Sequence, residues 1–110
     1  MFAVIYRGYL LPGKEAEYRK SWRIVAQYFV EKRGAIGSAL HRTADGLWFA
    51  YSRWPDKKTR DASWPGEKTP SEELPSEIYE AILLLKACLD PKRPFPEICM
   101  EVVDEIRSAR

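Results

Sequence analysis

His41 is the only histidine in the chain, and imidazole, with an ordinary pKa of about 6.5, is the side chain best suited to take a proton near neutral pH. Arg7, Arg42 and Arg53 are cations able to hold the anion such a step would leave. Tyr6, Tyr9, Tyr51 and Tyr79 each join a phenolic donor to an apolar body, which suits orienting a quinone or phenol and equally suits a hydrogen bond within a core. Trp48 and Trp54 fall on the same side of an alternating segment. With Trp22 from the helical pattern before it, they can wall a site for a flat ligand, fill a core, or anchor a partner subunit. A single histidine near a hairpin turn is more often a packing or surface residue than a base, so His41 enters as a candidate on those terms.

Other chemistries find no support. Cys88 and Cys99 lack metal-site spacing, and neither has an adjacent histidine or a helix N-terminus to lower its pKa, so both are expected to be buried thiols. No Ser/His/acid pattern, Gly-rich phosphate loop or metal-ligand cluster is present, and neither a metal nor a cofactor is expected. The 18 basic and 16 acidic residues are interspersed and leave a net charge of +2, so no basic stripe tracks a nucleic acid backbone. No apolar run is long enough to span a bilayer and the first residues lack the order of a signal peptide, so membrane association is not expected and a cytoplasmic location is. At 110 residues, 45% of them hydrophobic, residues 1–110 should form one domain around one core. Four Trp, six Tyr and four Phe are a heavy aromatic load for that core, an interface or a pocket.

The elements that must position these side chains follow from periodicity. Met1 to Leu11 alternates as a strand, with Gly8 expected to mark a bulge rather than a close approach of another segment. Lys14 to Arg33 places Tyr18, Trp22, Val25, Ala26 and Phe29 on one helical face. Ala35 to Arg42 and Leu47 to Trp54 read as a hairpin about Asp45-Gly46, which supplies positive-φ positions. Gly37, Ala39, Ala50 and Ser52 are small and leave room for a cavity. Asp56 to Trp64 forms a short helix, and the segment 65–70 a loop. A second long helix opens at Pro75 or Ser76 and ends before Pro91. Its extra apolar residues Leu83, Leu84 and Cys88 predict burial on more than one side. Phe95 to Ile106 supplies the last strand.

The order β, α, β, β, α, β is the ferredoxin-like α+β arrangement, four antiparallel strands with helices on one face. Apolar residues on both faces of the first and third strands predict a homodimer in which two sheets pack face to face into a dimeric α+β barrel.

The segment LLPGKEAEYRKSW, then RGAIGSALHR, then the exit Trp54-Pro55-Asp56 into a short helix reaching Trp64, resembles the antibiotic biosynthesis monooxygenase family of dimeric α+β barrels. The likeness covers the first two thirds of the chain by motif and the rest by order of elements. It implies a cofactor-independent oxygenase that acts on or binds a small aromatic or polycyclic compound, with Trp64 matching a pocket tryptophan of the family. The family's first-strand asparagine has no counterpart, since the chain contains no asparagine, and Tyr6 or Arg7 occupies that region. The haem-ligating histidine of other members is absent as well. Oxygenation without a cofactor requires deprotonating an electron-rich substrate inside a desolvated aromatic pocket. The residues assigned to it are His41 and Trp64 as catalytic, with Tyr6, Arg7, Trp22, Trp48, Tyr51 and Trp54 contacting substrate. The missing asparagine motivates an alternative, a non-catalytic dimeric barrel that binds a ligand or a partner protein.

Overall fold

The computed structural model describes residues 1–64 and 74–108. In chain order the elements are β1 (Phe2–Gly8), α1 (Glu15–Lys32), β2 (Gly37–Arg42), β3 (Trp48–Trp54), α2 (Lys57–Ser63), α3 (Ser76–Ala87) and β4 (Ile98–Glu101). The strands form one antiparallel sheet in the order β2-β3-β1-β4. This is the ferredoxin-like α+β fold that the element order predicts. The loop expected over 65–70 lies outside the described residues.

β1 and β3 form the centre, with Phe2 opposite Trp54 and Gly8 opposite Trp48. That register puts Val4 and Tyr6 on the same face as Trp48, Ala50, Ser52 and Trp54, because successive side chains in a strand alternate between faces. The helices cover this face. Tyr18 of α1 meets Trp48 edge-on at 5.8 Å, and Phe29 meets Trp54 at 5.6 Å. Tyr18, Ser21, Val25 and Phe29 are the buried positions of α1, one stripe of an amphipathic helix. The opposite face carries Ile5, Phe49 and Tyr51, all half-buried, with Ala39 and His41 exposed.

The hairpin tip needs one positive-φ residue rather than two. Gly46 has φ 90°, while among the described residues no non-glycine residue has positive φ. The Gly46 N–H donates to Thr43 O at 3.0 Å, and the Thr43 N–H donates to Leu47 O at 2.8 Å, the longer hairpin loop in which a turn is followed by a left-handed glycine. Asp45 is held in place by the Tyr9 hydroxyl, which donates to it at 2.8 Å.

Three expectations from the sequence are corrected. α3 is buried along one face only, through Ile78, Ala81, Ile82 and Leu85, whereas Leu83 and Leu84 are 50% and 44% exposed. An outer-layer helix packed on α1 has one neighbour and needs one stripe. Cys88 is buried as expected, but Cys99 is exposed, because β4 is a four-residue edge strand. Gly8 forms no bulge, since pairing runs unbroken through Gly8↔Trp48.

Close approach explains Gly8 instead. A Cβ placed there would lie 2.7 Å from Leu89 Cδ2. The segment after α3 is pinned against the end of β1: the Leu11 N–H donates to Cys88 O and the Asp90 N–H to Tyr9 O, each at 2.8 Å. Gly8→Ala is therefore expected to destabilise the fold by about 1 kcal/mol, the low end of overpacking costs, because the group it meets is the end of the Leu89 side chain. In urea denaturation, the double variant Gly8→Ala/Leu89→Ala should be more stable than the summed single losses by roughly 0.5 kcal/mol or more. Strict additivity would refute the contact as the cause.

Candidate active site

A cavity of about 710 Å³ lies between the helix-bearing face of the sheet, α1 and α2. Its volume falls within the range of small-molecule sites. Ala50 and Ser52 from β3 and Ser38 from β2 form its floor, and their small side chains leave the space. Aromatic rings wall it. Tyr6 and Trp64 lie 5.0 Å apart between ring centroids, and Phe29 meets Trp64 edge-on at 5.7 Å. Trp22, Trp54 and Phe95 complete the apolar lining.

The short helix α2 brings the polar edge. Pro55 follows the last residue of β3, and Asp56 caps the new helix by accepting from the Thr59 N–H at 2.8 Å, which satisfies one of the donors a helix N-terminus leaves open. Arg60 and Ser63 then share the inward face, three residues apart, and Trp64 follows at the C-terminal end. Arg60 is the centre of a network. Its guanidinium donates to Glu97 through two nitrogens at 2.8 and 2.9 Å, and to the Tyr6 hydroxyl oxygen at 3.1 Å. Asp61 accepts from its Nε at 2.9 Å.

The electrostatics follow from burial and pairing. Burial opposes the charge on Arg60, but its bonds to Glu97 and Tyr6 outweigh that and hold the guanidinium firmly protonated. The same bond holds the Glu97 carboxyl below the usual glutamate range, against partial desolvation. Burial raises the Tyr6 phenol well above its ordinary value, with Arg60 opposing. Partial desolvation and the nearby Glu97 raise the Cys99 thiol, so it stays protonated rather than acting as a nucleophile.

Of the residues singled out by the sequence, Tyr6, Arg7, Trp22, Trp54 and Trp64 line this one cavity. Trp48 is buried farther along β3 against Tyr18, with the Arg42 guanidinium 5.4 Å from its ring centroid. Tyr51 lies on the opposite face of the sheet, paired with Ile5. His41 is on that face too, stacked on Phe49 at 4.6 Å, and it borders a separate depression with Arg19, Arg23 and Arg42. The fold thus does not bring His41 to Trp64. Sequence reasoning missed Arg60 and Glu97. Arg60 carries a weak signal, an offset of four from Trp64 behind an Asp56 cap. Glu97 carries none, being 37 residues from its partner.

Acid should test the network directly. Glu97 has a folded-state pKa below its ordinary 4.5, so its contribution to stability is fully present above about pH 4.5 and is lost as pH falls through the folded value. The loss of thermal stability between pH 5 and 3 should be steeper in the wild type than in Glu97→Gln. Parallel profiles would show that the pair contributes nothing.

Among the described residues, no group of His, Cys, Asp and Glu is arranged to hold a metal, and no helix is long and apolar enough to cross a membrane. No protein-family model matches the chain, and no curated protein matches its sequence. Solved structures match it in fold along nearly the whole length. Rv0793 from Mycobacterium tuberculosis superposes with a TM-score of 0.71 at 18% identity, covering 96% of this chain and 98% of that one. An antibiotic biosynthesis monooxygenase gives 0.70 at 15% identity, covering 94% of this chain and all of the other. A mutant of SnoaB, a cofactor-independent oxygenase from Streptomyces nogalater, gives 0.68 at 15% identity over 97% of both chains. The order of elements, the sheet topology and these superpositions agree: the chain has the fold of the antibiotic biosynthesis monooxygenase-like proteins.

Proposed function

We propose that the chain binds a small aromatic or polycyclic compound in the cavity beside Trp64 and oxygenates it without a metal or organic cofactor. The observation that carries this is the cavity of about 710 Å³ whose walls are aromatic rings and whose edge is the Tyr6–Arg60–Glu97 network. The likeness in fold to SnoaB, described as a cofactor-independent oxygenase, supports the reaction class. A substrate with an acidic ring CH₂, such as an anthrone, loses a proton, and its carbanion reduces O₂ and bonds to one oxygen. Cleavage of the O–O bond then gives the ring ketone and water, so CH₂ and O₂ become C=O and H₂O. The protein's part is to exclude water, hold the ring flat, and stabilise the charge that develops on its oxygen.

Glu97 and Asp61 are the carboxylates on the wall, and both are held in their ionised form by neighbouring cations. They are weak bases, so substrate acidity must supply much of the driving force. His41, across the sheet from the cavity, has no place in this scheme. A second copy of the chain belongs to the same proposal, its sheet covering the half-buried Ile5, Phe49 and Tyr51, as does the cytoplasmic setting. The alternative is a barrel that binds the same ligands without turnover, which the placement of His41 outside the cavity favours.

Oxygen uptake with a panel of anthrones and hydroquinones separates these readings. Turnover is expected, with Trp64→Ala lowering kcat/KM by about tenfold or more and His41→Ala leaving it unchanged. Tryptophan fluorescence quenching without oxygen uptake would instead support the binding protein. Sedimentation at micromolar concentration should give a dimer, and a monomer there would remove the second copy from the proposal.

A further inference from the structure

Arg60 spends its whole guanidinium on the protein. Nε donates to Asp61 at 2.9 Å, Nη1 to Tyr6 at 3.1 Å and to Glu97 at 2.8 Å, and Nη2 to Glu97 at 2.9 Å and to Cys99 Sγ at 3.6 Å. A guanidinium has five N–H groups in a fixed fork, so none remains for a ligand. The charge is matched as well. Arg60 and Lys57 face Glu97 and Asp61, with Lys57 and Asp61 themselves paired, two cations against two carboxylates. Although an arginine sits at the cavity wall, it is not an open anion receptor.

Tyr6 is different. An arginine cannot accept a hydrogen bond, so in the Arg60–Tyr6 contact the phenolic oxygen is the acceptor and its own hydrogen is directed elsewhere. No described residue accepts that hydrogen. Tyr6 lines the cavity and its ring lies against Trp64, so a flat ligand beside Trp64 is within reach of a donor that the Arg60 network leaves unspent. Ser52 Oγ and Trp54 Nε1, also buried without a partner, lie farther along the same lining.

We infer that the Tyr6 hydroxyl donates to a neutral, carbonyl-type oxygen of the aromatic ligand, and that Arg60 is a positioning residue that aims and polarises that donor. This rests on the aromatic-cavity reading above and names what the cavity selects: a ring ketone rather than a hydrocarbon. Buried donors discriminate strongly because a ligand lacking the acceptor leaves them unpaired. The raised pKa of Tyr6 keeps its proton in place as the ketone oxygen gains charge on enolisation, and a fixed donor aimed at developing charge strengthens its bond there. Polarisation by Arg60 adds to it, since hydrogen bonds in series reinforce one another.

The test uses a matched pair of probes, 1-tetralone and its hydrocarbon analogue tetralin, with binding followed by tryptophan fluorescence. The wild type should prefer 1-tetralone by about tenfold, the value of one net hydrogen bond. Tyr6→Phe should abolish that preference by weakening 1-tetralone alone. Arg60→Met should also lose it, and Arg60→Lys, which keeps one donor to Tyr6, should restore part. Equal affinity of the wild type for both probes, or equal weakening of both by Tyr6→Phe, would overturn the donor assignment while leaving the aromatic cavity intact. Full preference in Arg60→Met would remove the positioning role. Should Arg60→Met not fold, the near-isosteric Tyr6→Phe decides the donor and Arg60→Lys the positioning role, which a full preference there would not support. Binding of neither probe would overturn the cavity reading and the donor assignment with it.

Discussion

The antiparallel seam between β1 and β3 is the constraint on which the rest depends. Its register, from Phe2 opposite Trp54 to Gly8 opposite Trp48, decides which side of the sheet every central side chain faces. A slip of one residue would send Tyr6, Ala50, Ser52 and Trp54 to the far face and bring Ile5 and Tyr51 under the helices. The seam is held from both ends. At one end Trp54 is almost wholly buried against Phe29. At the other, the absence of a side chain at Gly8 lets Leu89 close over the strand. The floor of the cavity is therefore a direct consequence of strand register, and the space above it a consequence of small residues at consecutive inward positions.

A charge sits at the edge of that space, and it is costly. Arg60 has a side chain only 7% exposed, and desolvating an ion costs roughly several kcal/mol even after relaxation. The fold compensates by surrounding it with acceptors from three elements: Tyr6 on β1, Asp61 on α2 and Glu97 just before β4. Packing, not added stability, is the plainer consequence. The bidentate contact with Glu97 draws the segment leading into β4 against α2, so Phe95 and Glu97 become walls of the same cavity. One guanidinium thus joins the two ends of the chain around the site, with geometry that lysine, a compact point charge, cannot reproduce.

How much of this was legible in the sequence depended on the range of the signal. Both long helices, the hairpin and the first three strands are encoded in local stretches of the chain, and the structure places them within a few residues of where periodicity does. The last strand, read as Phe95 to Ile106, is only Ile98–Glu101, with Val103 and Ile106 left exposed. The aromatic walls were partly legible, because Trp22, Trp54 and Trp64 belong to those patterns. Leu83 and Leu84 misled, since apolar character alone does not say which side of a helix finds a neighbour. The bulge at Gly8 misled as well, because the reason for that glycine is Leu89, a residue 81 positions away in the chain. His41 was the natural base by chemistry, and only the assembled sheet shows that it faces away from the cavity.

By itself the sequence determined the order and kind of the elements, the two-faced character of the strands and the aromatic content of the layer between sheet and helices. Those properties follow from local periodicity, turn chemistry and composition, none of which needs a distant partner. Only the tertiary structure decided which face of the sheet became the floor of a cavity, and that Arg60 rather than His41 governs its polar edge. The physical reason is that a charge network is satisfied through space. Tyr6, Arg60 and Glu97 are separated by 54 and 37 residues, and they meet because strand register and the turn into α2 bring the guanidinium up against both acceptors.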